Sequence, residues 1–94
     1  MAYLLEFHPK AKKEFGKIER QLQDQFLKKL AARLERPRVP ADALHGLADC
    51  YKIKLRSSGY RLVYQVTDRT VTVLVLAVGK REKSAAYEAA KTRV

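Results

Sequence analysis

From Cys50 to Arg61 the chain alternates. Tyr51, Ile53 and Leu55 are apolar, Lys52, Lys54 and Arg56 are basic, and after Ser57-Ser58-Gly59 the run resumes at Tyr60-Arg61. A period of two describes a β-strand with one buried face and one open face. The open face then carries a row of cations with no carboxylate between them, which suits a polyanion such as RNA or DNA.

The rest of the chain supplies what such a strand packs against. Ala2 to Phe7 reads as a short strand, and Pro9 suits the first turn of a helix after His8. Ala11, Phe15, Ile18, Leu22, Phe26, Leu30 and Leu34 then recur every three or four residues, a single apolar helical stripe with Lys and Arg opposite. The span is long for one helix, so a break near Gly16 or Arg20-Gln21 is expected, giving a helical hairpin. Pro37 and Pro40 end it, and a loop with Leu44, His45, Gly46 and Leu47 leads into the basic strand. Tyr60 to Thr67 and Val71 to Val78 are two further strands, the last almost wholly apolar and so central. An Ala-rich helix is expected from about Arg81. The whole is an α+β domain spanning residues 1–94, a mainly antiparallel sheet with the helical hairpin on one face and a short C-terminal helix.

Turn positions set a trial register. If Arg56 pairs with Arg61, then Lys54 meets Val63 and Lys52 meets Gln65, and Arg61 joins the cationic face. If Thr67 pairs with Thr70, Gly79-Lys80-Arg81 emerges near Arg61. Tyr51, Ile53, Leu55, Leu62, Tyr64, Val66, Val71, Val73 and Val75 then form the core against the helices. Val63, Leu74 and Leu76 fall on the cationic face and need cover from the last helix, whose alanines bury little area and hold weakly.

Twenty Lys and Arg against ten Asp and Glu give a formal charge of +10, which favours nucleic acid, an anionic membrane or an acidic partner. No apolar run reaches the roughly 20 residues of a membrane helix, and the N-terminus lacks a signal-peptide pattern. Cys50 is the single cysteine, so no internal disulfide forms. A soluble cytoplasmic protein is the expectation.

If the ligand is RNA, scission by the neighbouring 2′-hydroxyl needs a base, an acid and charge stabilisation at phosphorus. The two histidines, His8 and His45, fall off the basic face. The candidates are therefore Lys52, Lys54, Arg61, Arg81 and Tyr87. Neighbouring cations depress a lysine's pKa, and Lys54 is central in the row, so it suits the base. Arginine suits phosphate clamping, and Tyr87 suits stacking on a base. Such a site needs its substrate held in line by something larger.

The run from Asp49 to Val66, with Gly79-Lys80-Arg81-Glu82 and Tyr87, resembles the RelE family of bacterial toxins over the whole chain and most strongly from residue 49 to 88. The resemblance implies a metal-independent endoribonuclease, the toxin of a type II toxin–antitoxin system, that cuts mRNA in the A site of the 70S ribosome. It implies a RelB-type antitoxin that displaces the C-terminal helix, and operator DNA bound only by the toxin–antitoxin complex. By position it makes Lys54 the general base, Arg81 the general acid, Lys52 and Arg61 the phosphate-stabilising pair, and Tyr87 the stacking residue. Arg56, His45 and Lys80 are further RNA-binding candidates. Close relatives carry Arg where this chain has His45, which implies a weaker or pH-dependent grip there, and Phe15 stands where Trp is expected.

Plainer readings apply elsewhere. Lys12, Lys13, Lys17, Lys28 and Lys29 read as solvated surface, Cys50 as a small buried residue, and Tyr51, Tyr60 and Tyr64 as packing. Lysines on an edge strand also blunt aggregation. The competing function classes are a ParE-like toxin that inhibits gyrase and a basic nucleic-acid-binding module without nuclease activity.

Overall fold

The computed structural model describes residues 2–80 and 85–94. The elements run β1 (Leu4–Phe7), α1 (Pro9–Lys17), α2 (Arg20–Glu35), β2 (Cys50–Leu55), β3 (Tyr60–Thr67), β4 (Thr72–Lys80) and α3 (Ala85–Arg93). The four strands form one sheet in the order β1-β4-β3-β2. β2, β3 and β4 are an antiparallel meander, and β1 lies parallel to β4 at the far edge.

The apolar stripe makes the helical hairpin, but its break falls between the two expected places. Ile18 has extended backbone and Glu19 caps α2. Ile18 is still buried, so the stripe continues through the corner. His8 caps α1, its Nδ1 accepting from the Lys10 N–H at 3.2 Å, with Pro9 in the first turn. α1 and α2 cover one face of the sheet. Ala11, Phe26 and Leu30 meet Ile53, Leu55, Leu62, Tyr64, Val66, Val73, Val75 and Val78 there. Phe7, Phe15 and Phe26 run through this core as neighbouring rings, at 5.2 and 6.4 Å. α3 covers the other face, where Ala86 and Ala90 pack on Cys50, Val63, Leu76 and Ala77.

The observed register is Lys54 opposite Arg61 and Lys52 opposite Val63, two residues from the expected pairing. The hairpin needs four connecting residues, with Gly59 at φ 76° closing it. An even slip leaves every side chain on its expected face. The β3–β4 turn is also longer than expected, because Thr67 pairs with Thr72. Val71 is therefore a turn residue, at φ 51° and 42% exposed, not a core residue of β4. β1 likewise begins at Leu4 rather than Ala2.

β4 carries a bulge. Val63 pairs with Ala77 and Tyr64 with Val75, so Leu76 has no partner on β3. Leu76 and Ala77 both turn toward α3 as a result. β1 pairs no further along β4 than Val75, so the next stretch of that edge needs other partners. Arg93, near the end of α3, donates to the Leu76 carbonyl at 2.8 Å. It also forms a two-pronged pair with Glu14 of α1, at 2.8 and 2.9 Å. Glu14 in turn accepts from the Val78 N–H at 3.1 Å. The weak apolar hold expected of α3 is thus reinforced by an ion pair wrapped round the sheet edge. Gly79 lets the helix start close in, because a Cβ there would lie 3.3 Å from the Ala86 nitrogen.

Burial disfavours the charged Glu14 carboxylate, yet the Arg93 guanidinium and the Val78 N–H outweigh it and lower its pKa. A carboxyl lowered on folding adds stability above its unfolded value, about 4.3, and loses it as pH falls through the folded value. Arg93→Ala should lower the unfolding free energy by about 1–2 kcal/mol at pH 7. The loss should shrink below pH 4 in urea titrations, and amide exchange in α3 should quicken more than in β3.

Candidate functional site

The site grows from the β2–β3 pairing. Lys52 and Lys54 alternate with Tyr51, Ile53 and Leu55, so once Ile53 and Leu55 are buried the two lysines share the opposite face. Arg61 lies across from Lys54, and Gly79 lies across from Arg61. The row Lys54–Arg61–Gly79 therefore crosses three strands on the face that α3 covers in part. Tyr87, one residue after the buried Ala86, reaches back to this row. Its hydroxyl accepts from Arg61 Nη1 at 2.7 Å, and the guanidinium carbon lies 5.4 Å from its ring centroid.

Lys54 is solvent-exposed, and its pKa is lowered. Lys52 is the main cause and Arg61 the next, because adjacent like charges disfavour the ammonium form. A surface lysine with a depressed pKa holds more free amine near neutrality, as a general base requires. The Arg61 guanidinium lies beside it and can face a phosphate.

The remaining candidates divide. Arg56 follows the end of β2 and, with Lys54 and Arg61, lines a hollow of about 360 Å³ at the hairpin. His45 is exposed on its loop and borders a cleft of about 270 Å³ shared with Leu44, Leu47, Tyr87, Glu88 and Lys91. It therefore sits on the α3 side, beside the Tyr87 helix. Lys80 does not join the row. It pairs with Tyr60, which points the other way, and its ammonium lies 5.8 Å from the Tyr60 ring centroid. Arg81 lies outside the described residues. No group of three or more His, Cys, Asp or Glu side chains among the described residues could hold a metal ion. No described helix is long and apolar enough to cross a membrane.

Two polar networks behind the site carry no local sequence signal. Arg33 on α2 donates to the Tyr64 hydroxyl at 2.8 Å and to Asp42 at 2.6 Å, and it reaches the Lys52 carbonyl at 3.4 Å. The Tyr64 hydroxyl donates to the Pro37 carbonyl at 2.6 Å, which satisfies a fully buried phenol. Arg38 bridges Asp49 and Asp68, at 2.6 and 3.0 Å, and Tyr3 donates to Asp68 at 2.7 Å. The one hint of the first network is Arg33 itself, a charge flanking the apolar stripe between Leu30 and Leu34.

This fold is that of a toxin family. The model for the ParE toxin of type II toxin–antitoxin systems matches residues 5–85. The mRNA interferase toxin RelE of Escherichia coli is 54% identical over 94 residues, covering 100% of this chain and 99% of that protein. A chain from an arginine double mutant of E. coli RelE in the free state superposes with a TM-score of 0.93 at 53% identity, covering 100% of this chain and 99% of that one. The same mutant bound to a peptide of the antitoxin RelB superposes at 0.84, also at 53% identity and with the same coverage. The chain belongs to the RelE branch of the ParE/RelE toxin family.

Cys50 is 1% exposed, and burial with the neighbouring Asp49 charge pushes its thiol up to about 11. It is no nucleophile. It should resist a thiol-reactive chromophore at pH 8 in native protein and react fully once unfolded in guanidinium.

Proposed function

We propose that this protein is the toxin of a type II toxin–antitoxin pair and a metal-independent endoribonuclease that cuts mRNA in the ribosomal A site. The observation that carries the reading is the convergence of Lys52, Lys54, Arg61 and Tyr87 on one open face, with the lysine pKa depressed where a base is needed. Support also comes from the 54% identity to E. coli RelE, itself an mRNA interferase toxin.

In this reading Lys54 takes the proton from the 2′-hydroxyl, and the freed oxygen attacks the adjacent phosphorus. Lys52 and Arg61 face the charge that builds on the phosphorane. Arg81, two residues after Gly79 in the sequence, serves as the general acid that gives the leaving 5′-oxygen its proton. Tyr87 stacks on a base of the codon, which requires it to exchange its contact with Arg61 for the RNA. The ribosome supplies the in-line geometry that so sparse an acid–base set cannot impose. His45, beside the Tyr87 helix, contributes a further contact to the RNA. The partner is a RelB-type antitoxin, and the pair binds operator DNA as a complex.

The family model is that of ParE, so gyrase inhibition is the second reading. The two separate on one assay: a defined mRNA on purified ribosomes with an empty A site, its 5′ ends mapped by primer extension. A cut within that codon only in the presence of ribosomes is expected. Lys54→Ala should slow single-turnover cleavage by about 10²–10⁴-fold while ribosome binding changes only severalfold. Arg81→Ala should do the same. No cut by the wild-type protein, together with inhibition of DNA supercoiling, would replace this reading with the second.

A further inference from the structure

Lys54 borders a second hollow, on the other side of β2 from α3. It has a volume of about 330 Å³, and its charged lining is Lys29 and Arg33 from α2, Asp42, and Lys54 and Arg56. Asp42 is the only carboxylate among these. A carboxylate left free beside a catalytic lysine would favour the ammonium and remove the base. Asp42 is not free. Arg33 Nη2 lies 2.6 Å from its Oδ2, with the two side chains 18% and 29% exposed. The same guanidinium is braced by the Tyr64 hydroxyl at 2.8 Å and reaches the carbonyl of Lys52, two residues before Lys54.

We propose that Arg33 and Asp42 are positioning residues for Lys54. Arg33 braces β2 from behind the lysine row and holds the groove's one carboxylate in a salt bridge, away from the Lys54 ammonium. Asp42 keeps the guanidinium in place without fully cancelling the cations on the open face. The inference rests on the reading of Lys54 as the general base.

The charged groups around Lys54, among the described residues, can be named. Lys52 and Arg56 lie on or just past its own strand, Arg61 across the sheet, Lys29 and Arg33 on α2, and Asp42 on the turn after α2. Five are cations, and one opposes them. Lys52 and then Arg61 lower the Lys54 pKa, and Asp42 raises it against them. With Asp42 held in its pair with Arg33, the net effect is a lowered Lys54 pKa.

The test is the Lys54 pKa in the free full-length protein, read by NMR titration of its Cε and Nζ resonances. Asp42→Asn keeps an oxygen for Arg33 to bond and removes the charge. It should lower the Lys54 value by about 0.3 pH unit, roughly a twofold gain in free amine near neutrality. Arg33→Gln should raise it by a similar amount, and the double variant should return it toward the wild-type value. A Lys54 value unchanged or raised in Asp42→Asn overturns the proposal, and so do single variants that shift it in the same direction. If Arg33→Gln does not fold, Asp42→Asn alone decides, because its salt-bridge partner and the buried tyrosine remain. The pH–rate profile on ribosomes gives a second reading: its basic-group limb should move to lower pH in Asp42→Asn. A wild-type protein that cuts nothing would remove the nuclease reading and leave the NMR shifts standing. An active nuclease whose Lys54 ignores Asp42 would remove this inference alone.

Discussion

Lys54 and Arg61 face each other across two paired strands, and neither would choose the other's company. Like charges directly opposite in a sheet are destabilising. They stay together because the residues between them have nowhere else to go. Ile53 and Leu62 form the next pair along, both buried against the helical hairpin, and a slip of one residue would put them in water and the cations in the core. The crowding that depresses the lysine pKa, from Lys52 first and Arg61 next, is thus held in place by apolar burial on the reverse face. Core and site are two sides of one register.

That coupling explains how much of the site was legible. Period-two alternation exposed β2 and β3 because their open faces carry charges that contrast with the buried ones. The trial register erred by two residues at the hairpin and by two at the next turn, and even errors preserve faces, so Lys52, Lys54 and Arg61 still came together. β4 gave less away. Its run from Val73 to Val78 is apolar on both faces, so nothing in the pattern marks Leu76 as the bulged residue. Val71 misled for another reason: a β-branched residue at positive φ is rare, and only the turn geometry demands it. The length of the hairpin connection likewise depends on Gly59 taking a left-handed conformation, which the dipeptide Ser58-Gly59 permits without specifying.

The polar networks were hidden on different grounds. Arg93 and Glu14 are separated by 79 residues, and Arg33 and Tyr64 by 31, distances at which no spacing rule operates. The Arg93 and Arg33 networks each meet backbone groups, the clearest being the Leu76 carbonyl and Val78 N–H on the edge of β4 that β1 does not reach. A sequence shows that a charged residue exists. It does not show which unpaired backbone group will recruit it. Lys80 illustrates the converse, a cation adjacent in sequence to the functional row that alternation sends to the Tyr60 side.

The parallel pairing of β1 with β4 has a bearing on synthesis. Leu4 to Phe7 find their partners at Thr72 to Val75, so the first strand to leave the ribosome waits for one of the last. Until then β1 has no sheet to join, and the α1 ion pair that secures α3 lacks Arg93. Chain growth is slow beside local folding, and long-range pairing is completed last. The fold thus closes only once the segment carrying β4 and Arg93 has been made. A nascent chain from which α3 has not yet emerged has the strands of the cationic hairpin but not the helix that brings Tyr87 to them.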